Sequence, residues 1–199
     1  MLNLVLFGPP GAGKGTQAQF LAQSFNLVHL STGDLLRQEI AAKTELGKLA
    51  DELISKGELV PDSIVISLIN IWLKKPRTTA GFLFDGFPRT VLQAQALDRL
   101  LMKYHSKVSV MLCLMVDKQE LVDRLYKRGL TSGRADDIDI ATIEHRLEVY
   151  NEKTAPLISY YESQHKYYPI GGVGTIEKIA ENLIQTIKSI KRKHSSILK

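Results

Sequence analysis

Cysteine is almost absent: among 199 residues there is one, Cys113. A lone thiol makes neither a disulfide nor a cysteine-cluster zinc site within one chain, and its place in the apolar run 108–116 marks it as a core residue. No apolar stretch is long enough to span a bilayer, and the chain opens on a core strand rather than a signal-like or transit-like leader, so a soluble protein of the cytoplasm is expected. Internal repeats and low-complexity segments are missing too, and 44% hydrophobic with 24% charged residues suits one compact domain with small inserted lobes. Acidic residues are the scarcer sign, 21 against 26 basic, for a formal net charge of +5. A nucleic-acid module would need aromatics interleaved with those basic residues on a sheet face, whereas the strand-like runs here are aliphatic. Part of the excess, Lys188, Lys191, Arg192, Lys193 and Lys199, reads as a solvated tail. An Asn-Lys-x-Asp segment, which a guanine-reading switch requires, does not occur.

Glycine, by contrast, is concentrated. Residues 8–16 read Gly8-Pro9-Pro10-Gly11-Ala12-Gly13-Lys14-Gly15-Thr16, directly after the apolar run 2–7. That is a strand feeding a glycine-rich phosphate loop. Its spacing lets consecutive backbone N–H groups point into one concavity, while the following helix adds its positive N-terminal end and Lys14 a mobile cation. Such a cradle holds nucleotide phosphates. The simple form of the pattern has Ser or Thr directly after the lysine; here Gly15 intervenes and the hydroxyl arrives at Thr16, which marks a subclass.

Strand-like runs recur at 2–7, 27–30, 81–85, 108–116 and 167–173, separated by helical patterns, and this alternation implies an α/β chain with a parallel sheet flanked by helices. The continuous apolar character of 108–116 fits a central strand covered on both faces. Residues 31–73 form an excursion with helices and no strand, a candidate substrate lobe in which Gly57 reads as a helix stop and Pro61-Asp62 as the next helix start. Asp117-Lys118-Gln119-Glu120 has the form of a capping box, opening a helix with Leu121 and Leu125 on one face and Arg124 and Arg128 on another. A further helix starts near Asp139, with Ile140, Ile143, Leu147 and Tyr150 as its buried stripe and Arg146 on its length, and a kink or break is expected at Pro156. The last helix carries Ile176, Ile179, Leu183, Ile187 and Ile190 at spacings of three and four, a core stripe.

Ligands on such sheets gather at the carboxyl ends of the strands. Ser31-Thr32-Gly33-Asp34 sits at one such end and reads either as a plain helix cap or as a binding turn, with the Thr32 hydroxyl aimed at a base and Arg37 as a forked donor for a phosphate. Asp85 ends the buried run 81–85. From there a carboxylate can hold Mg²⁺ through water beside a phosphate loop on the neighbouring strand, a reading favoured over a plain helix cap. Gly86 allows close approach, and Pro88 stiffens the turn that presents Arg89. His29 reads as a hydrogen-bonded core histidine rather than a general base.

Taken in order, Gly-Pro-Pro-Gly-Ala-Gly-Lys-Gly-Thr-Gln at 8–17, Leu-Ser-Thr-Gly-Asp-Leu-Leu-Arg at 30–37 and Asp-Gly-Phe-Pro-Arg-Thr at 85–90 resemble the adenylate kinases of the nucleoside monophosphate kinase family. Lys-Arg-Gly at 127–129, Ser-Gly-Arg-Ala-Asp-Asp at 132–137 and Arg-Leu-Glu-Val-Tyr at 146–150 extend the resemblance over essentially the whole chain. It implies a three-layer P-loop kinase fold with a central five-stranded parallel sheet, an inserted helical AMP-binding lobe and a short lid loop. The division it suggests is core at 1–30, 61–127 and 139–199, AMP-binding lobe at 31–60 and lid at 128–138. The implied reaction is transfer of the terminal phosphoryl group of ATP to AMP, giving two ADP, with Mg²⁺ and without zinc. ATP, AMP and ADP are the implied partners of a monomer, with no nucleic acid and no membrane.

Residue by residue, the resemblance assigns Gly8, Gly11, Ala12, Gly13, Lys14, Gly15 and Thr16, with Arg128 and Gly174, to ATP. It assigns Thr32, Arg37, Val60, Gly86, Arg89, Gln93, Arg134 and Arg146 to AMP, with Gln93 reading the adenine edge and Arg37 and Arg89 gripping the acceptor phosphate. Lys14, Arg89, Arg124, Arg128, Arg134 and Arg146 surround the transferring group, and Asp85, with Thr16 as a lesser oxygen donor, serves the metal. Phosphoryl transfer requires in-line positioning and positive charge on the equatorial oxygens, and converging arginines without a nucleophile meet that need. Only five residues lie between Arg128 and Arg134, too few for a β-rich lid with a cysteine zinc cluster. Gly129 and Gly133 around Thr131-Ser132 read as a flexible loop that folds over ATP, with Asp136 and Asp137 either paired with closing arginines or solvated. A uridylate or cytidylate kinase is the alternative within the family; Thr32 and the run 90–93 favour AMP.

Overall fold

A computed structural model describes residues 1–75 and 79–197. Five strands, β1 (Leu4–Phe7), β2 (Leu27–Ser31), β3 (Gly81–Asp85), β4 (Val110–Met115) and β5 (Tyr167–Gly171), form one parallel sheet in the order β2-β3-β1-β4-β5. Leu6 of β1 stands level with Asp85 of β3 on one side and Leu112 of β4 on the other. The helices are α1 (Lys14–Phe25), α2 (Thr32–Ala41), α3 (Glu45–Ile54), α4 (Asp62–Leu73), α5 (Val91–Met102), α6 (Lys118–Ser132), α7 (Ile140–Val149), α8 (Leu157–Glu162) and α9 (Ile176–Ile197).

Both faces of the sheet are covered at its centre, which is why β1, β4 as far as Leu114 and β3 up to Asp85 are buried and apolar rather than alternating. Consecutive residues of β1 point to opposite faces. Val5 and Phe7 enter a core with Phe84, Leu97, Met111 and Tyr161, while Leu4 and Leu6 enter another with Leu21, Leu112, Leu147 and Leu183. Each fully buried Leu or Phe contributes roughly 1.5–3 kcal/mol of transfer free energy. The connection leaving β1 heads for β2 on one side and that leaving β4 heads for β5 on the other. Such a divergence marks the carboxyl ends of the strands as the place for a ligand.

The helix signals hold in most places. Ser31, Thr90, Asp117 and Asp139 each cap a helix by accepting a main-chain N–H three residues on. The helix is interrupted near Pro156 as expected: after α7 the chain passes through a π-helical turn, Tyr150–Thr154, and resumes as α8 directly after Pro156. Two residues of the expected buried stripes are out of place, Ile140 at 53% and Ile176 at 47% exposure. Each is the first residue of its helix, where the side chain overhangs the packed layer.

The expected flexible loop at 129–133 is largely helix. α6 runs to Ser132 and stops at Gly133, whose φ of 63° is left-handed, while Gly129 is buried within the helix. A side chain at 129 would collide with the carbonyl of Asp137. Gly129 is therefore a contact point between α6 and the 3₁₀ turn Ala135–Asp137, not a hinge. In the basic tail Lys188, Lys191 and Arg192 are exposed as expected, but the segment is helical: residues up to Ile197 continue α9, and the Lys191 ammonium sits 5.8 Å from the Phe25 ring centre. The side chain of Lys193 and all of Lys199 lie outside the described residues. Among the described residues no helix is long and apolar enough to cross a membrane.

Candidate active site

A cavity of about 500 Å³ opens above the carboxyl ends of β1, β2 and β3. Its floor is the loop between β1 and α1. At Gly8, with φ of 142°, the backbone passes so close to β4 that a Cβ would lie 2.8 Å from the Leu114 carbonyl oxygen, so only glycine fits. Gly8, Gly11, Gly13, Lys14, Gly15 and Thr16 all line the cavity, and Ala12 is buried beneath it.

Lys14 is the first residue of α1, and its ammonium donates to the carbonyls of Gly8 at 2.7 Å and Pro9 at 2.9 Å. Burial lowers its pKa to about 8; the Asp85 carboxylate works against the shift, and the guanidiniums of Arg89, Arg146 and Arg128 add to it. Between that value and the ordinary value near 10.5 the lysine is mostly neutral. An anionic phosphate on the loop favours the ammonium and raises the pKa again. Binding of a non-hydrolysable ATP analogue at pH 9 is therefore expected to take up protons, read by calorimetry in buffers of different ionisation enthalpy. Binding with no buffer dependence at that pH would contradict it.

Asp85 ends β3, buried, with Oδ2 3.4 Å from Nε2 of His29. His29 is hydrogen-bonded as expected, yet it is half-buried and lines the cavity rather than the core. The next residue, Gly86, has φ of 72°, and its carbonyl accepts from Thr32 Oγ1 at 2.8 Å and Arg89 Nε at 2.9 Å. The Thr32 hydroxyl proton is thus engaged by the main chain, and toward a ligand this hydroxyl acts as an acceptor. Burial, then Arg146 and Arg37, disfavour the Arg89 charge, with Asp85 opposing.

Arg37, Arg128 and Arg146 are held by carboxylates. Arg37 pairs with Asp34 one helical turn before it. Burial alone would raise the Asp34 pKa, but hydrogen bonds from Arg37 and Ser31 bring it below the usual range. Arg128 donates through two nitrogens to Asp137, at 2.6 and 3.0 Å. Arg146 contacts the same carboxylate, and also Asp136 Oδ2 at 2.9 Å. Asp137 is fully buried; burial pushes its pKa up, and the contacts from Arg128 and Arg146 outweigh that and hold it low. Asp136 and Asp137 are thus paired, not solvated. Arg134 is half-buried, its charge disfavoured first by burial and then by Arg128 and Arg37.

Arg37, Arg89, Arg128, Arg134 and Arg146 therefore share one cavity with Lys14. A second cavity, about 70 Å³, adjoins it and is lined by Thr32, Val60, Gly86, Gln93 and again Arg37, Arg89 and Arg146. Besides the buried Ala12, two expected residues line neither. Arg124 donates to Glu120 Oε1 at 2.7 Å and to the Gly172 carbonyl at 3.0 Å, and Gly174 is exposed beyond β5. Sequence reasoning missed Asp62, read only as a helix start, which accepts from Gln93 Nε2 at 2.7 Å and Thr90 Oγ1 at 2.8 Å. It also missed Pro9 as a lysine acceptor.

Cations crowd this cleft, and a phosphate cradle forms its floor. Such a site stabilises negative charge in flight between oxygens, the construction of a P-loop phosphotransferase. The adenylate kinase family model matches residues 6–166. The adenylate kinases of Flavobacterium johnsoniae and Flavobacterium psychrophilum are 52% and 50% identical to this chain over 190 residues, and that of Parabacteroides distasonis is 47% identical over 191. Each comparison covers 96% of this chain and all of the relative. The chain belongs to the adenylate kinase family.

Proposed function

We propose that the protein catalyses reversible, Mg²⁺-dependent transfer of the terminal phosphoryl group of ATP to AMP, giving two ADP. The observation that carries this reading is the pair of adjoining cavities, one on the phosphate loop and one on Thr32 and Gln93, with Arg37, Arg89 and Arg146 lining both. Two nucleotides laid in them would meet phosphate to phosphate among the guanidiniums.

The chemistry follows from those positions. The acceptor phosphate of AMP is largely ionised at neutral pH, so its oxygen attacks the terminal phosphorus without a general base. One P–O bond forms to AMP as the bond to the departing ADP oxygen breaks. Lys14 exchanges the Gly8 and Pro9 carbonyls for phosphate oxygens of the donor, and Arg89, anchored at Nε, turns its guanidinium to the acceptor phosphate. Arg128, Arg134 and Arg146 spread positive charge over the equatorial oxygens; Asp137, shared by Arg128 and Arg146, keeps those two oriented. The Asp85 carboxylate and Thr16 hydroxyl line the same cavity and are hard oxygen donors that suit Mg²⁺. When bound, the ion neutralises charge between donor phosphates. Residues 31–60 serve as the AMP-binding lobe and 128–138 as a short lid between the core segments 1–30, 61–127 and 139–199. The reading includes a monomer in the cytoplasm that binds ATP, AMP and ADP.

The test is phosphoryl transfer from Mg-ATP to AMP, UMP, CMP and GMP, with the diphosphates separated by chromatography and the assay repeated in excess EDTA. Strong ADP formation with AMP, lost on chelation, is the expected outcome. Preference for UMP or CMP would move the enzyme to the pyrimidine branch, and absence of transfer to any acceptor would overturn the reading.

A further inference from the structure

Gln93 is 1% exposed in the first turn of α5 and lines the smaller cavity. Its carboxamide is held at both ends. Oε1 accepts the main-chain N–H of Arg89 at 2.8 Å, and Nε2 donates to Asp62 Oδ1 at 2.7 Å. The other Asp62 oxygen accepts from Thr90 Oγ1 at 2.8 Å, and that hydroxyl in turn accepts the main-chain N–H of Gln93 at 3.2 Å. The N-terminus of α4 is thereby tied to the N-terminus of α5.

The oxygen and nitrogen ends of a carboxamide are alike in shape, so its partners alone decide which way it faces. Here the partners are unambiguous. A main-chain N–H only donates, and an ionised carboxylate only accepts. Turning the Gln93 amide over would set donor against donor at Arg89 and acceptor against acceptor at Asp62, each in a part-buried place where an unmade hydrogen bond is costly. What remains open on the amide is one N–H and one oxygen lone pair, side by side in fixed order. The edge of a 6-aminopurine offers a donor next to an acceptor, which a glutamine side chain matches bidentately; a 6-oxopurine has an acceptor where the amino donor stood.

We propose that Asp62, which lines neither cavity, is a positioning residue that sets 6-amino over 6-oxo selectivity for the acceptor base by locking the orientation of the Gln93 amide. The inference rests on the smaller cavity being the acceptor-base site of the proposed reaction.

The experiment measures kcat and KM for AMP and for its 6-oxo analogue IMP in the parent protein, Asp62→Asn, Gln93→Ala and the double variant. An asparagine at 62 can turn either end toward Gln93, so the lock is weakened to the single contact from the Arg89 N–H. Asp62→Asn is expected to raise the KM for AMP about tenfold, to leave kcat near its parent value and to narrow the preference for AMP over IMP about tenfold. Because Asp62 acts through Gln93, adding Asp62→Asn to Gln93→Ala should change the preference no further. The preference is a ratio taken on one preparation, so partial loss of folded protein cancels from it. Should Asp62→Asn fail to fold, Asp62→Ser, with a hydroxyl suited to a helix start, supplies the same reading. A preference that stays at the parent value in the Asp62 variant, while Gln93→Ala lowers it, overturns the role of Asp62 alone. Unchanged KM and preference in Gln93→Ala would overturn the acceptor-pocket assignment itself.

Discussion

Arg89→Ala is expected to lower kcat by about 10³-fold or more while leaving the folded state at least as stable. The guanidinium lines both cavities and is anchored by a single bond from Nε to the Gly86 carbonyl. Its remaining N–H groups are the donors on hand for an acceptor phosphate. In the absence of nucleotide its charge is a burden on the fold, since burial and the neighbouring Arg146 and Arg37 all disfavour it. Removing it relieves that repulsion, the usual relation between an active site and stability. Steady-state turnover alongside a thermal melt tests both halves. Near-normal turnover with a normal melt would take Arg89 out of the reaction, and a large loss of melting temperature would show that it supports the fold instead.

Gly129→Ala is expected to destabilise the protein by about 3 kcal/mol, a fall in melting temperature of roughly 6–12 °C for a chain of this size. Helix propensity argues the other way, since alanine in a helix interior is favoured over glycine by about 1 kcal/mol. Packing decides. The added methyl would lie inside contact distance of the Asp137 carbonyl, so α6 and the 3₁₀ turn must separate. That displacement also pulls Arg128 off Asp137, and turnover should fall with stability. A melting temperature equal to or above that of the parent protein would show that the close approach at Gly129 is dispensable.

The sequence was a good guide wherever the informative pattern was local. The glycine-rich loop after a strand, the caps at Ser31, Asp117 and Asp139, and the continuous apolar runs of β1, β3 and β4 depend on neighbours a few residues away. Their physical causes, left-handed backbone, orphan helix N–H groups and burial on two faces, leave a residue-type signature. Partners brought together by the fold leave none. Asp137 takes Arg128 and Arg146 from two different helices, and Asp62 reaches Gln93 across the start of α5. Nothing at position 62 beyond a helix-starting aspartate announces that contact. Gly129 was misjudged for the same reason: a glycine reads as flexible until the atom pressed against it is known. Arg124 was legible as one of two arginines on a helix face and His29 as a hydrogen-bonded histidine, but whether each faced the cleft or a carbonyl depended on rotamers that no spacing specifies.

The two-sided sheet also governs how this chain can change over generations. Leu6 and Phe7 are adjacent in sequence yet belong to separate cores, so substitutions there meet different neighbours. Phe7 and Tyr150, far apart in sequence, pack with tilted rings whose centres are 5.7 Å apart, so a change at one alters the surroundings of the other. Drift is thus partitioned by face: one core can be rewritten while the other stands still, and only the rim where both meet the phosphate loop answers to the two histories at once.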